Sequence, residues 1–158
     1  MQVAFSYDKK KVIQGLRYHF ILRQEIRIMI ILVNVFAIFS AILFYSKKIR
    51  PEPFFLGTLI WLFMMVAVWY VLPYTVYKRT SIFKESFIIN FSDKEITLEA
   101  EKGYALWQWN QLIKYFESPN FFHLYFNAKS FFLIPKENIN ETEKHELRLL
   151  FSKKINKK

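Results

Sequence analysis

Two long uncharged runs dominate the hydropathy pattern. No residue from Ile28 to Tyr45 is charged, and none from Pro53 to Tyr77 is either. Between them stands a short polar turn, Ser46-Lys47-Lys48-Ile49-Arg50-Pro51-Glu52. A helix rises about 1.5 Å per residue, so roughly 20 residues cross a hydrocarbon core. The first run is at the short end, and Ile26 lengthens it only by admitting Arg27, whose long stem can snorkel. The pattern predicts a transmembrane helical hairpin within residues 28–77, with helices over 28–45 and 54–77. A buried helical pair in a soluble protein fits less well, since small soluble domains rarely carry two such runs. A cleaved signal peptide also fails for the first run, which starts far from Met1 and has no small-residue cleavage site after it.

Residues 1–27 read differently. Val3, Phe5 and Tyr7 alternate, which predicts a short strand. Asp8 then stands as an N-cap, although Lys9, Lys10 and Lys11 in the first turn oppose the helix dipole. Val12, Ile13, Leu16 and Phe20 recur at helical spacing. The expectation is an amphipathic helix at the inner membrane interface that runs into the first span. Lys9, Lys10, Lys11, Arg17 and Arg23 are its candidate contacts to lipid head groups, each worth about 1 kcal/mol near an anionic surface. The competing reading is ordinary topology determination by the flanking charge.

Inside the hairpin, Ala37, Ser40 and Ala41 form a small-residue patch at a depth similar to that of Gly57. Close helix packing is expected there. Asn34 lies deeper, where an amide in lipid needs a partner, and Trp69 offers an indole donor at matching depth. Together Asn34, Ala37, Ala41, Gly57 and Trp69 are the expected contacts between the helices. A transport role for Asn34 is the alternative to structural glue. Pro73 is expected to kink the second helix, and Tyr45, Tyr74 and Tyr77 read as interfacial anchors.

After Lys78-Arg79 the period switches to two. Strands are predicted over 82–91, 95–100, 104–109, 112–117, 121–126 and 130–135. The turns fall at Asp93-Lys94, Glu101-Lys102-Gly103, Ser118-Pro119-Asn120 and Asn127-Ala128-Lys129, with Gly103 expected at positive φ. An amphipathic helix follows from Asn140 or Thr142, with Thr142 a candidate N-cap and Leu147, Leu150 and Phe151 on its apolar face. The fold class is thus a membrane α+β protein: a two-helix hairpin, then over 80–158 a small antiparallel β roll or barrel capped by a C-terminal helix. Whether the strand at Val3–Tyr7 joins that sheet is open. Trp107 and Trp109 share a face of one predicted strand, with core packing favoured over an exposed patch.

Two spans, Trp107-Gln108-Trp109, Phe121-Phe122-His123-Leu124-Tyr125-Phe126, Phe131-Phe132-Leu133-Ile134-Pro135-Lys136 and a terminal helix together resemble the YcxB-like family. The resemblance covers essentially the whole chain and is most specific over Trp107–Lys136. It implies a bacterial membrane protein whose C-terminal domain is similar to pleckstrin-homology (PH) rolls, and it implies no particular activity.

Charge refines the picture once it is located. The net +10 is concentrated: residues 1–27 hold six basic and two acidic groups, and residues 139–158 hold six and three. The intervening domain, 78–138, has eight and seven and is nearly neutral. That distribution suits anionic lipid and not nucleic acid, which calls for a basic face on the domain. Basic flanks at both membrane ends place both termini in the cytoplasm by the positive-inside rule, although Lys47, Lys48 and Arg50 in the turn weaken the contrast. The expected location is therefore multi-pass in the cytoplasmic membrane.

Reactive constellations are not found. The chain has no cysteine, which excludes disulfides and thiolate chemistry. His19, His123 and His145 have no metal-ligand spacing, and His123 reads as a sheet-surface residue. Glu95 and Glu99 sit on one strand face, roughly 13–14 Å apart at about 3.4 Å per residue, and do not converge as an acid/base pair. Three glycines leave no phosphate-binding loop. PH-like folds that hold inositol lipids do so through basic hairpin loops, and Asp93-Lys94 and Glu101-Lys102-Gly103 are not basic clusters. No catalytic, cofactor-binding or metal residue is assigned. The expected function is a membrane-anchored, non-catalytic adaptor that contacts membrane lipids and binds a protein partner or a second copy of itself. The alternatives are a small-molecule or ion carrier built by hairpins around Asn34, or a factor protecting the membrane from a toxin or stress.

Overall fold

A computed structural model describes residues 1–101 and 103–155 of the chain. In order the elements are β1 (Gln2–Phe5), α1 (Lys9–Leu22), α2 (Gln24–Tyr45), α3 (Pro51–Val66), a π turn (Ala67–Val71) and α4 (Leu72–Arg79). A 3-10 turn (Ser81–Lys84) leads to β2 (Phe87–Phe91), β3 (Glu95–Ala100) and β4 (Gly103–Gln108). A second 3-10 turn (Trp109–Gln111), β5 (Lys114–Glu117), β6 (Phe121–Tyr125), β7 (Phe131–Pro135) and α5 (Glu141–Lys154) complete the chain. Two compact units result, Met1–Gly15 with Thr80–Lys158, and Leu16–Arg79, the division falling within α1.

The first unit holds two antiparallel sheets, ordered β1-β2-β3-β4 and β5-β6-β7. The N-terminal strand does join the C-terminal sheet: Val3 stands opposite Ile89 and Phe5 opposite Phe87. Period-two alternation turns Val3, Phe5, Phe87, Ile89, Phe91, Ile96 and Leu98 of the first sheet inward. They share one core with Phe122, Leu124, Phe132 and Ile134 of the second sheet and with Leu147, Phe151 and Ile155 at the helix end. Aromatic edges knit this core, with Phe151 against Phe91, Tyr115 and Phe122 at ring distances of 5.7, 5.4 and 5.5 Å.

Several predicted elements are corrected. The strand expected from residue 82 begins only at Phe87. Ser81–Lys84 is a 3-10 turn whose Phe83 is buried edge-on against Tyr7, 5.3 Å between rings. Tyr7 itself lies beyond β1, and its hydroxyl donates to the Leu133 carbonyl at 2.7 Å. Trp107 and Trp109 both pack in the core but do not share a strand, because β4 ends at Gln108. Trp109 turns away in the 3-10 segment and donates its indole N–H to the Ser92 carbonyl at 3.0 Å. The C-terminal helix is capped by Asn140 and not by Thr142. Asn140 Oδ1 accepts from the Glu143 N–H while Glu143 Oε2 accepts from the Asn140 N–H, a reciprocal box open only to a residue three before a Glu. Gly103 has the expected positive φ, +149°, while Lys102 lies outside the described residues.

His123 is not on the surface. Every residue of β6 is buried, so both faces of that strand are covered. The inner row is core; the outer row is Phe121, His123 and Tyr125. Part of the cover comes from α1, where Gly15 brings the helix backbone onto the Phe121 ring. Asn120 Nδ2 donates to Gln14 Oε1 at 2.9 Å and Lys11 Nζ pairs with Glu137 at 2.7 Å. The start of α1 is thus docked on protein, which corrects the expectation that its apolar face lies at a lipid interface.

In the second unit α2 starts at Gln24, four residues before the uncharged run, and spans 22 residues; Pro51–Arg79 forms a second rod of 29. Both are long and apolar enough to cross a membrane. Pro73 has no N–H to offer the carbonyl four residues back, and the π turn directly precedes its helix. That carbonyl, on Trp69, accepts from Arg17 Nε at 3.0 Å.

Candidate functional site

The outer face of the four-stranded sheet is largely exposed. Register sets its rows: Ala4, Ile88, Glu99 and Tyr104 lie side by side, and Gln2, Asn90, Thr97 and Leu106 form the next row. Alternation points these side chains away from the core. Tyr104 is 78% exposed, Leu106 45% and Ile88 37%. Tyr104 and Leu106 thus form an exposed apolar pair on β4, and Glu99 stands between Tyr104 and Ile88 in their shared row. Beside it lies an open depression of about 510 Å³ between the ends of β1, β2 and β3, lined by Ser6, Ser86, Ile88, Glu99, Glu101 and Asn138 among others. The arrangement offers an apolar contact pair with acidic and hydroxyl neighbours, suited to binding a polypeptide.

The polar clusters elsewhere in this unit hold structure together. Ser118 and His123 are both buried and meet at 2.9 Å, Oγ to Nε2. The Ser118 hydroxyl donates to the Phe121 carbonyl at 3.2 Å, so the pair braces the β5–β6 turn and presents no accessible nucleophile. Glu117 receives Arg148 Nε at 2.8 Å and Nη2 at 2.7 Å, and Lys136 Nζ at 2.8 Å. The Arg148 guanidinium, with Lys136 beside it, holds the Glu117 carboxyl down at about 2. This clamp ties α5 to β5 and to the chain after β7. Burial raises the Tyr125 hydroxyl to about 12 and pushes the Tyr7 hydroxyl up further. Among the described residues no cluster of three or more His, Asp or Glu could hold a metal ion.

In the second unit Ala37, Ser40, Ala41 and Gly57 come to one place, but they do not touch closely. They line a cavity of about 520 Å³ walled by Phe36, Phe54 and Trp61. A Cβ built on Gly57 would meet nothing within 4 Å. Close packing at this patch is therefore corrected: the helices meet nearer the turn, where Phe44 stacks on Phe54 at 4.3 Å and 4°. Asn34 is not joined to Trp69 by its amide, which donates to the Ile30 carbonyl of its own helix at 2.7 Å. An amide one turn from a backbone acceptor satisfies itself locally, which sequence depth does not reveal. Trp69 belongs instead with Arg17, whose guanidinium lies 5.5 Å from its ring and 5.2 Å from that of Tyr70.

Of the expected lipid-contact residues, Lys11, Arg17 and Arg23 have protein partners. Lys11 pairs with Glu137, its backbone N–H is capped by Asp8 Oδ1 at 2.9 Å, and Arg23 sits 3.7 Å from Glu25. Lys9 and Lys10 occupy the first turn of α1. The surface that sequence reading missed is the outer pair Tyr104-Leu106, whose signal was two apolar residues at alternate positions of one strand.

No curated protein and no solved structure matches the chain. Its segment 91–151, from the end of β2 through most of α5, matches the family described as YcxB-like protein. Over that segment the chain is similar to the YcxB-like family.

Proposed function

We propose that this protein is a membrane-anchored, non-catalytic adaptor. In this reading α2 and the rod Pro51–Arg79 span the cytoplasmic membrane with both chain ends on the inner face, and the sheet unit is a PH-like roll. Two antiparallel sheets with a helix at the C-terminal end support the roll. Asp93 is engaged by Lys154, through its backbone carbonyl at 2.7 Å and its carboxylate at 3.4 Å, so the β2–β3 turn is a poor phosphate cradle. The single observation that carries the adaptor role is the exposed apolar pair Tyr104-Leu106 on β4, in a unit whose strand β6 is covered on both faces.

The test uses the full chain in bacterial membranes with a photoreactive residue in place of Tyr104. A discrete adduct to a protein in a carbonate-washed pellet is expected. Release of the chain by carbonate would refute the anchor, and retention without any protein adduct would refute the adaptor.

A further inference from the structure

β1 and β4 are the two edges of the four-stranded sheet; Asn138 Nδ2 donates to the Ala4 carbonyl of β1, whereas the backbone of β4 is open. The Gln108 N–H bonds the Gln111 Oε1 at 3.2 Å, on the side away from β3. In an antiparallel ladder, outward-facing residues recur every second position, so Tyr104 and Leu106 also direct their N–H and C=O groups outward. Among the described residues, Gly103–Gln108 make no backbone hydrogen bond besides those within the sheet. Edge strands left open are commonly blocked by charge, proline or a bulge. Here Gly103-Tyr104-Ala105-Leu106-Trp107-Gln108 contains none of these.

We infer that β4 pairs with β4 of a second copy, antiparallel about a two-fold axis at Ala105. This deepens the adaptor reading by naming its partner, and rests on it for the membrane anchor. The register follows from which groups are free. Since Gln111 covers Gln108, only Tyr104 and Leu106 have both main-chain groups available. Centring the axis on Ala105 places Tyr104 opposite Leu106 of the second copy, and the reverse, so that all four pairs of outward groups bond. Ala105 meets Ala105 of the second copy at a non-hydrogen-bonded position, where Cα atoms approach to about 4.5 Å and a small side chain fits. On the outer face the exposed Tyr104 ring covers Leu106 of the second copy, an aromatic–aliphatic cross-strand pair.

Charge permits this arrangement. Glu99 lies beside Tyr104 and Thr97 beside Leu106, so the joined row reads Glu99, Tyr104, then Leu106 and Thr97 of the second copy. The two Glu99 carboxylates fall in different rows and three strand spacings apart. That is about 14 Å or more, beyond the screening length of about 8 Å. A foreign strand would find no charged side chain on β4 to read, whereas the large-small-large triplet Tyr104-Ala105-Leu106 complements itself. The contact is smaller than the roughly 1,200 Å² typical of stable soluble dimers. Anchored copies, however, gain an effective concentration of order mM, so pairing is expected in membranes and weakened on detergent dilution.

The chain has no cysteine, so single cysteines report cleanly. Full-length Ala105→Cys in membranes, treated with an oxidant, is expected to form a disulfide dimer several-fold above a Lys129→Cys control. Tyr104→Cys alone is expected to stay near that control, while Tyr104→Cys coexpressed with Leu106→Cys is expected to cross-link, using two exposed sites that leave the core untouched. Failure of both the Ala105 and the mixed pair would overturn the inference, as would equal dimer at every position. If these fail while the Tyr104 photoadduct contains a different protein, the adaptor reading stands and self-pairing falls; if the photoadduct is also absent, both fall.

Discussion

Replacing Gly15 by alanine sets two opposing effects on one residue. In a helix interior the change ordinarily stabilises by about 1 kcal/mol, because alanine loses less backbone entropy. Here the added methyl would sit 2.9 Å from Phe121 Cδ2, 3.1 Å from Phe121 Cε2 and 3.5 Å from Leu133 Cδ1. Phe121 is fully buried, so its ring has no solvent to swing into. Overpacking of this kind costs about 1–3 kcal/mol. The steric term outweighs propensity, and the expected net loss is about 1 kcal/mol, which is about five-fold in the opening equilibrium. Hydrogen exchange of the β6 and β7 amides in the full chain reads this directly, and about five-fold faster exchange is expected. Adding Phe121→Leu should return part of the loss, a coupling that an additive pair would not show. Unchanged or slower exchange in Gly15→Ala would refute the docking of α1 on the second sheet. Gly57→Ala, open on all sides, is the control in which no such loss is expected.

Other outcomes follow from the same geometry. Because Arg148 and Lys136 depress Glu117 from 4.5 to about 2, its contribution is complete above the ordinary carboxyl range and is lost as pH falls from about 4.5 towards 2. Glu117→Gln should therefore lower stability at neutral pH by about 1–2 kcal/mol, allowing for solvent screening at a partly exposed site, and flatten the acid limb of the unfolding profile; an unaltered acid limb would refute the clamp. Asn140→Ala should cost about 0.5–2 kcal/mol and speed exchange in the first turn of α5, while Thr142→Ala leaves that turn unchanged. Tyr7→Phe removes the bond to the Leu133 carbonyl and should cost about 1 kcal/mol in urea unfolding, with no cost if the hydroxyl is not engaged.

Most elements were legible because each rests on local rules. The alternation Ile96, Leu98, Ala100, the turn glycine at 103 and the apolar face of Leu147 and Phe151 all reappear in the structure. The misreadings cluster where a distant segment supplies the partner. Phe121-to-Tyr125 looked like a half-exposed strand with His123 outward, but cover on its second face makes the whole strand interior. Trp109 alternates correctly with Trp107 yet leaves the strand, since its indole finds the Ser92 carbonyl across a turn. Asn34 showed a need for an acceptor and not its location, and Ile30 of its own helix supplies it. The exposed pair was written in the alternation of Tyr104 and Leu106, but only the strand register shows that Glu99 and Thr97 flank it.

The amino-acid order by itself determined the two long apolar helices, the short alternating strands and the terminal helix. Such features need only the hydrophobicity and spacing of neighbours within a few turns or pleats. Tertiary structure alone decided that residues 1–15 fold with residues beyond 79, that His123 is interior, and that β4 is left as a bare edge. Those outcomes depend on which segments, far apart along the chain, find each other in space, and the free energy of such meetings belongs to the assembled core.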